Sequence, residues 1–176
     1  MSPEANSSKG AATRELILSR ALEMAEAKGL DALTIGTLAE AAGMSKSGLF
    51  AHFGSREDLQ LAVLEVAVRQ FTDEVFAPAV RERRGMPRLR AILGNWITRT
   101  LRYGEDRGCP IGAAVQEFDD RPGPVRDRVL SYVSHLRREI SRAVAMAVEQ
   151  GHTRTDVDPE QFAFEIHGLM LAFHYE

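Results

Sequence analysis

The side chains able to do acid–base or covalent chemistry are scattered through this chain rather than gathered. Glu117, Asp119 and Asp120 form an acidic group, but they run into Arg121-Pro122-Gly123-Pro124, a turn, and read as solvated. Five histidines are spread along the sequence. The only E-x-H, Glu165-Ile166-His167, lies in a helical pattern, where residues two apart diverge. No HExxH pair, glycine-rich phosphate loop or nucleophile motif occurs. Cys109 is the sole cysteine, which rules out an intramolecular disulfide and argues against a cysteine-based zinc site. Turnover is therefore not expected, nor is a metal or a cofactor.

A different set of residues does share one stretch. Thr34 to Arg56, TIGTLAEAAGMSKSGLFAHFGSR, holds the hydroxyls of Thr34, Ser45, Ser47 and Ser55 and the basic side chains Lys46, His52 and Arg56. No acidic residue occurs from Ala41 to Arg56, although the whole chain carries a net charge of −3. The chemistry that this combination suits is anion recognition. Free N–H groups at helix starts attract phosphates, and carboxylates would repel them.

Two short helices must position that set. Thr34 is the N-cap of the first, with Leu38, Ala39 and Ala42 as its apolar face. Gly43-Met44-Ser45 forms the turn, and the second helix starts at Ser45 and carries Lys46 to Phe53. Two short helices crossing through a glycine-containing turn are the helix-turn-helix signature. Thr34 and Ser45 are expected to meet phosphates, and Lys46 to read a guanine edge or pair a phosphate. Ser47 and Gly48 are small enough to let the helix enter a groove. Phe50 either touches a thymine methyl or sugar or packs inside the module, Leu49 and Phe53 are core, and Arg56 is a phosphate clamp. So few base-reaching side chains on one helix imply a two-fold dimer reading a palindrome.

The flanking sequence supplies the support. Residues 1–12 read as a disordered arm from which Lys9 could touch DNA, with Arg14 just after it a second candidate. A helix from Thr13 to about Lys28 buries Ile17, Leu18, Ala21, Leu22, Met24 and Ala25 and stops at Gly29. Ser55-Arg56-Glu57-Asp58 is a capping-box-like start for a long helix, apolar on more than one face, that Pro78 should kink or end. RERR at 81–84 is a solvated turn, and Pro87 opens a helix striped by Leu89, Ile92, Leu93, Trp96 and Ile97. After a loop at 103–110 come a short helix from Ile111 to Phe118 and a long one from Val125 to Gln150. Asp158-Pro159-Glu160-Gln161 starts the last helix, with Phe162, Ile166, Leu169 and Phe173 as its face. The pattern is still running at Glu176, so the natural protein is expected to continue. No stretch alternates with period two, so the fold class is all-α. Hydrophobic content of 44% and charged content of 27% suit a globular protein. No run approaches ~18 apolar residues, so no membrane span is expected and the setting is cytoplasmic.

With these residues in view, the chain resembles TetR-type transcriptional regulators over residues 14–64. The likeness is carried by T-I-x-x-L-A-x-x-A-G-M-S, K-S-G-L-F-A-H-F and S-R-E-D-L in that order. The resemblance implies an N-terminal three-helix helix-turn-helix DNA-binding module at 13–58. It implies a C-terminal helical ligand-sensing and dimerisation domain at 59–176. It further implies a homodimeric repressor released from a double-stranded operator by a small-molecule effector; an activator of the same fold stays open. His52 matches the family's phosphate-contacting position, and Phe50 stands where the family usually has tyrosine, so one backbone contact is missing. The effector pocket is expected among Phe71, Trp96, Tyr103, Cys109, Gln116, Phe118, His135 and His167, which mix aromatic and polar groups. The dimer interface is expected at Val133, Leu136, Ile140, Val144, Phe162, Ile166, Leu169 and Phe173, with Gly168 and Ala172 allowing close approach. A helical module that binds protein instead of DNA would explain the apolar last helices but not the acid-free stretch.

Overall fold

The computed structural model describes residues 3–103 and 107–174, with side chains from Gly10 onward. Every regular element among them is helical: α1 (Pro3–Lys28), α2 (Ile35–Ala42), α3 (Lys46–Phe53), α4 (Arg56–Phe71), a π-turn (Thr72–Phe76), α5 (Ala77–Ala79), α6 (Met86–Tyr103), α7 (Pro110–Glu117), α8 (Pro124–Glu149) and α9 (Pro159–Phe173). The all-α expectation holds. Of the loop expected at 103–110, residues 104–106 lie outside the described residues. No helix among the described residues is long and apolar enough to cross a membrane.

The chain divides into two compact units. One comprises Met1–Ala67 and Asp106–Arg128, the other Val68–Glu105 and Val129–Glu176. In the first, Ile17, Leu18, Ala21, Leu22 and Ala25 of α1 are buried, as the spacing of three and four requires. α1 begins at Pro3, not at Thr13, so the arm expected to be disordered is helical from Pro3 to Ala12. Once the packed turns of α1 exist, adding a residue costs no new nucleation, and the helix can extend toward the N-terminus. Gly10 to Ala12 are exposed.

The second unit packs Val75 and Ala79 with Leu89 and Ile92 of α6, Ile140, Val144 and Ala147 of α8, and Ala163, Ile166 and Met170 of α9, all buried. Pro78 does not end the helix before it. It has no N–H to offer the carbonyl four residues back, and the ladder widens, so that Ala77 N–H reaches Thr72 O. Asn95 Nδ2 donates to the Val75 carbonyl inside this π-turn at 3.0 Å. On α9 the core-facing set is Ala163, Ile166 and Met170, one position round from the expected stripe. Phe162 and Leu169 are left 40% and 70% exposed. The helix is apolar on most sides, so periodicity alone could not choose the buried one.

Candidate nucleic-acid interface

The helix-turn-helix is built by its caps. Thr34 accepts from Thr37 N–H at 3.0 Å, and Thr37 Oγ1 accepts in return from Thr34 N–H at 3.1 Å. α2 stops where Gly43 takes the left-handed conformation, φ 64, which an L side chain adopts only at a cost. Ser45 then caps α3 by accepting from Gly48 N–H at 3.1 Å. Leu49 and Phe53 are buried beneath, as expected, and the Arg14 guanidinium lies 5.0 Å from the Phe53 ring centroid. Arg14 is thus held against the module; the side chain of Lys9 lies outside those described.

Lys46 and Thr34 both lie close to Gly36. A Cβ built on Gly36 would lie 3.8 Å from Lys46 Nζ and 3.7 Å from Thr34 Oγ1. The ammonium of Lys46 therefore sits back over the first turn of α2, where the helix dipole is positive and N–H groups are free. That placement favours a phosphate over a base edge. Gly36 gives the lysine its room, a role not expected from the sequence; a glycine two residues after a cap was the available signal. Ser45, Lys46, Ser47 and Phe50 are exposed, and Phe50 is 54% accessible, so it is not module core. Gly48 is half-buried under Ser45. His52 is half-buried with its ring 6.4 Å from that of Phe53.

Arg56, expected to be a phosphate clamp, is engaged within the chain. Its Nε donates to the Leu33 carbonyl at 3.0 Å, and its Nη2 donates to the carbonyl of Asp31 and to Asp31 Oδ1, the latter at 2.7 Å. The guanidinium closes the 29–34 loop that leads into α2. A hydrogen bond from Arg121 is the largest influence on Asp31. Slight burial opposes it, and the charges of Arg121 and Arg56 add to it, so the carboxyl is held below the usual range. Glu117, on α7, accepts from Asp31 N–H at 2.9 Å. Gln60, 4% exposed, donates to the Leu30 carbonyl at 3.1 Å. Residues from α4, α7 and the turn after α7 thus fix the loop that sets Thr34. Gln60 and Glu117 carried no local signal of this, because their partners are remote in sequence.

The expected pocket residues do not fall in one unit. Cys109, Gln116 and Phe118 belong to the unit that contains the helix-turn-helix; the other five belong to the second. Cys109 precedes α7, Gln116 is exposed, and Phe118 is buried beneath Arg121. In the second unit the Phe71 and Trp96 rings meet edge to face at 5.3 Å, with His167 6.4 Å from Trp96. Burial, with the Arg137 charge adding, pushes the His167 pKa below its ordinary value. Tyr103 lies against His174 and accepts from Arg99, whereas His135 is exposed.

The expected dimer residues also separate. Ile140, Val144 and Ile166 are buried in the chain's own core. Val133, Leu136 and Phe173 are half-buried, and Phe162 and Leu169 are exposed. A Cβ at Gly168 would meet nothing within 4 Å.

Comparison with known proteins gives two family matches. Residues 17–63 match "Bacterial regulatory proteins, tetR family", and residues 85–176 match "Tetracyclin repressor-like, C-terminal domain". No curated protein matches the sequence. Among solved structures, a TetR transcriptional regulator from Chloroflexus aurantiacus J-10-fl is 28% identical, with TM-score 0.80 over 92% of this chain and 82% of that one. AibR in complex with isovaleryl coenzyme A and operator DNA is 23% identical, with TM-score 0.75 over 93% and 86%. The ketosteroid transcriptional regulator KstR2 of Mycobacterium tuberculosis is 18% identical, with TM-score 0.70 over 93% and 82%. At those last two identities the likeness is one of fold.

Proposed function

Because the chain belongs to the TetR family of bacterial regulatory proteins, we propose that it is a homodimeric repressor that leaves a palindromic operator when a small molecule binds. It acts by binding rather than by turnover, in the cytoplasm where the chromosome lies. The observation that supports DNA contact best is the corner shared by Lys46, Thr34 and the start of α2. A phosphate there meets an ammonium, a hydroxyl and free N–H groups together. Ser45 and Ser47 meet the adjoining backbone, His52 takes a further phosphate, Phe50 faces the groove, and Gly48 is small enough to let the helix come close. Arg56 works indirectly, by holding the loop that aims Thr34.

The effector site belongs to the second unit, around Phe71, Trp96, Tyr103 and His167. α4 starts in the DNA-binding unit and its last residues belong to the sensing unit, so it is the natural link. A ligand moves operator occupancy only through its difference in affinity for the two states. AibR, which has the same fold, was crystallised with both a coenzyme A thioester and operator DNA, a precedent for one chain binding both. The two-fold contact forms on the exposed face of α9, through Phe162, Leu169 and the open ground at Gly168.

The test is a fluorescence-anisotropy titration with duplexes from the DNA upstream of the chain's own gene. Saturable binding is expected, at least about a thousandfold tighter than to a scrambled duplex at equal salt. Equal affinity for the two duplexes would overturn the reading.

A further inference from the structure

The second unit holds a buried cation whose hydrogen bonding is incomplete. Arg99 is 7% exposed. Its Nη1 donates to Glu74 Oε2 at 2.6 Å, and its Nη2 donates to the Tyr103 hydroxyl at 2.5 Å. Its Nε is buried and has no acceptor. A buried donor left without a partner is rare and costly, and each one calls for an explanation. The guanidinium also lies 5.2 Å from the Tyr103 ring centroid and 5.9 Å from that of Phe71.

Glu74 is a poor match for this arginine. One oxygen, Oε2, accepts from both Arg99 and Arg102, the latter at 2.8 Å. A carboxylate meets a guanidinium best with both oxygens on two parallel N–H groups. Glu74 is tethered to the π-turn and partly exposed, so its side chain is the movable member of the cluster. The wall beside Arg99 is aromatic: Phe71 meets Trp96 edge to face, and His167 lies beyond. A cation, a partly exposed internal carboxylate that uses one oxygen for two arginines, and an apolar wall are the parts needed to recognise an acid with a hydrophobic body.

We propose that Arg99 anchors the carboxylate of an organic acid effector, that this carboxylate displaces Glu74, and that the acid's apolar body lies against Phe71 and Trp96. The inference rests on the ligand-responsive reading above and gives its effector a chemical class. It also ties occupancy to movement. Glu74 lies in the π-turn between α4 and α6, so its release frees the turn from its ion pair at the point where the link to the DNA-binding unit begins. π-turns are frequent at functional sites.

The probe is hexanoate, with hexanamide as its uncharged counterpart and Trp96, the only tryptophan, as the reporter. Hexanoate is expected to change Trp96 emission saturably, and hexanamide is not. Glu74→Ala, which removes the competing carboxylate, should bind hexanoate at least about tenfold tighter than the unaltered chain. Its melting temperature should rise with hexanoate but not with hexanamide. Adding Arg99→Gln to Glu74→Ala should abolish both responses. Tighter binding is not something a damaged fold produces, and if Glu74→Ala does not fold, Glu74→Gln carries the same comparison. The inference is overturned if hexanoate and hexanamide act alike, or if the double variant responds as Glu74→Ala does. Operator binding is measured separately. A chain that binds its operator and ignores hexanoate keeps the regulator reading and loses this one. A chain that binds hexanoate through Arg99 and no operator does the reverse.

Discussion

Two basic residues that looked alike in sequence separate once their partners are known. Lys46 lies exposed over the start of α2, whereas Arg56 is bonded to Leu33 and Asp31. Lys46→Ala should therefore weaken operator binding and lower the slope of log affinity against log salt by about one unit. Arg56→Ala should leave that slope unchanged and lower the unfolding free energy by about 1–2 kcal/mol, through the lost carbonyl contacts. Salt titrations of both variants beside urea melts distinguish these outcomes; a slope change in Arg56→Ala would restore the phosphate clamp. His167 gives a pH prediction at the same scale. Burial lowers its pKa in the folded chain below the ordinary 6.5. The unfolded chain thus takes up the proton first as pH falls. The stability tied to neutral His167 is complete above about pH 6.5 and declines as pH drops toward the folded value. His174, also lowered by burial, adds the same sign. Urea midpoints followed from pH 7.5 to about pH 5 should fall, and less steeply in His167→Gln than in the unaltered chain.

At the scale of elements, the loop between α1 and α2 is the joint that decides how the helix-turn-helix is presented. Gly29 ends α1 with φ 83, and a Cβ there would lie 1.7 Å from Glu117 Oε1. Gly29→Ala should cost about 2–4 kcal/mol, from the left-handed backbone and the displaced Glu117–Asp31 hydrogen bond together. In a Glu117→Ala background only the backbone part, about 1–2 kcal/mol, should remain. Denaturant melts of the four chains measure the difference, and strict additivity would count against the contact. This joint also shows what sequence could and could not reveal. The caps at Thr34, Ser45 and Asp158 were legible because each joins residues two or three apart, and so was the buried stripe of α1. The Glu117–Asp31 contact spans 86 positions and the Arg99–Glu74 pair spans 25. No local rule ties such residues together. The bonds of Arg56 to Leu33 and Asp31 were hidden for the same reason: its charge is visible in sequence and its partners are not.

At the scale of the whole molecule, α9 presents one face to its own core and another, Phe162 and Leu169, to the outside. An exposed apolar face suits a second neighbour, and in the proposed dimer a two-fold copy would supply the same patch in return. Leu169→Glu should shift sedimentation from dimer to monomer and weaken binding to a palindromic duplex by more than about tenfold, while a single half-site duplex is bound as before. Gly168→Leu should act in the same direction by blocking close approach; unchanged sedimentation in both variants would place the two-fold contact elsewhere. The DNA-binding unit is itself discontinuous, since Asp106–Arg128 belongs with Met1–Ala67. This has a consequence for how the protein is made. The ribosome releases the three helices of the DNA reader well before Glu117 exists, and 86 residues separate Asp31 from its acceptor. At ordinary elongation rates that gap is roughly 4–17 s, during which the α1–α2 joint can be held by Arg56 and Gln60 but not yet by Glu117 and Arg121. If the Glu117 contact helps to aim Thr34, fragments ending before α7 should read DNA less well than the whole chain even when their three helices form.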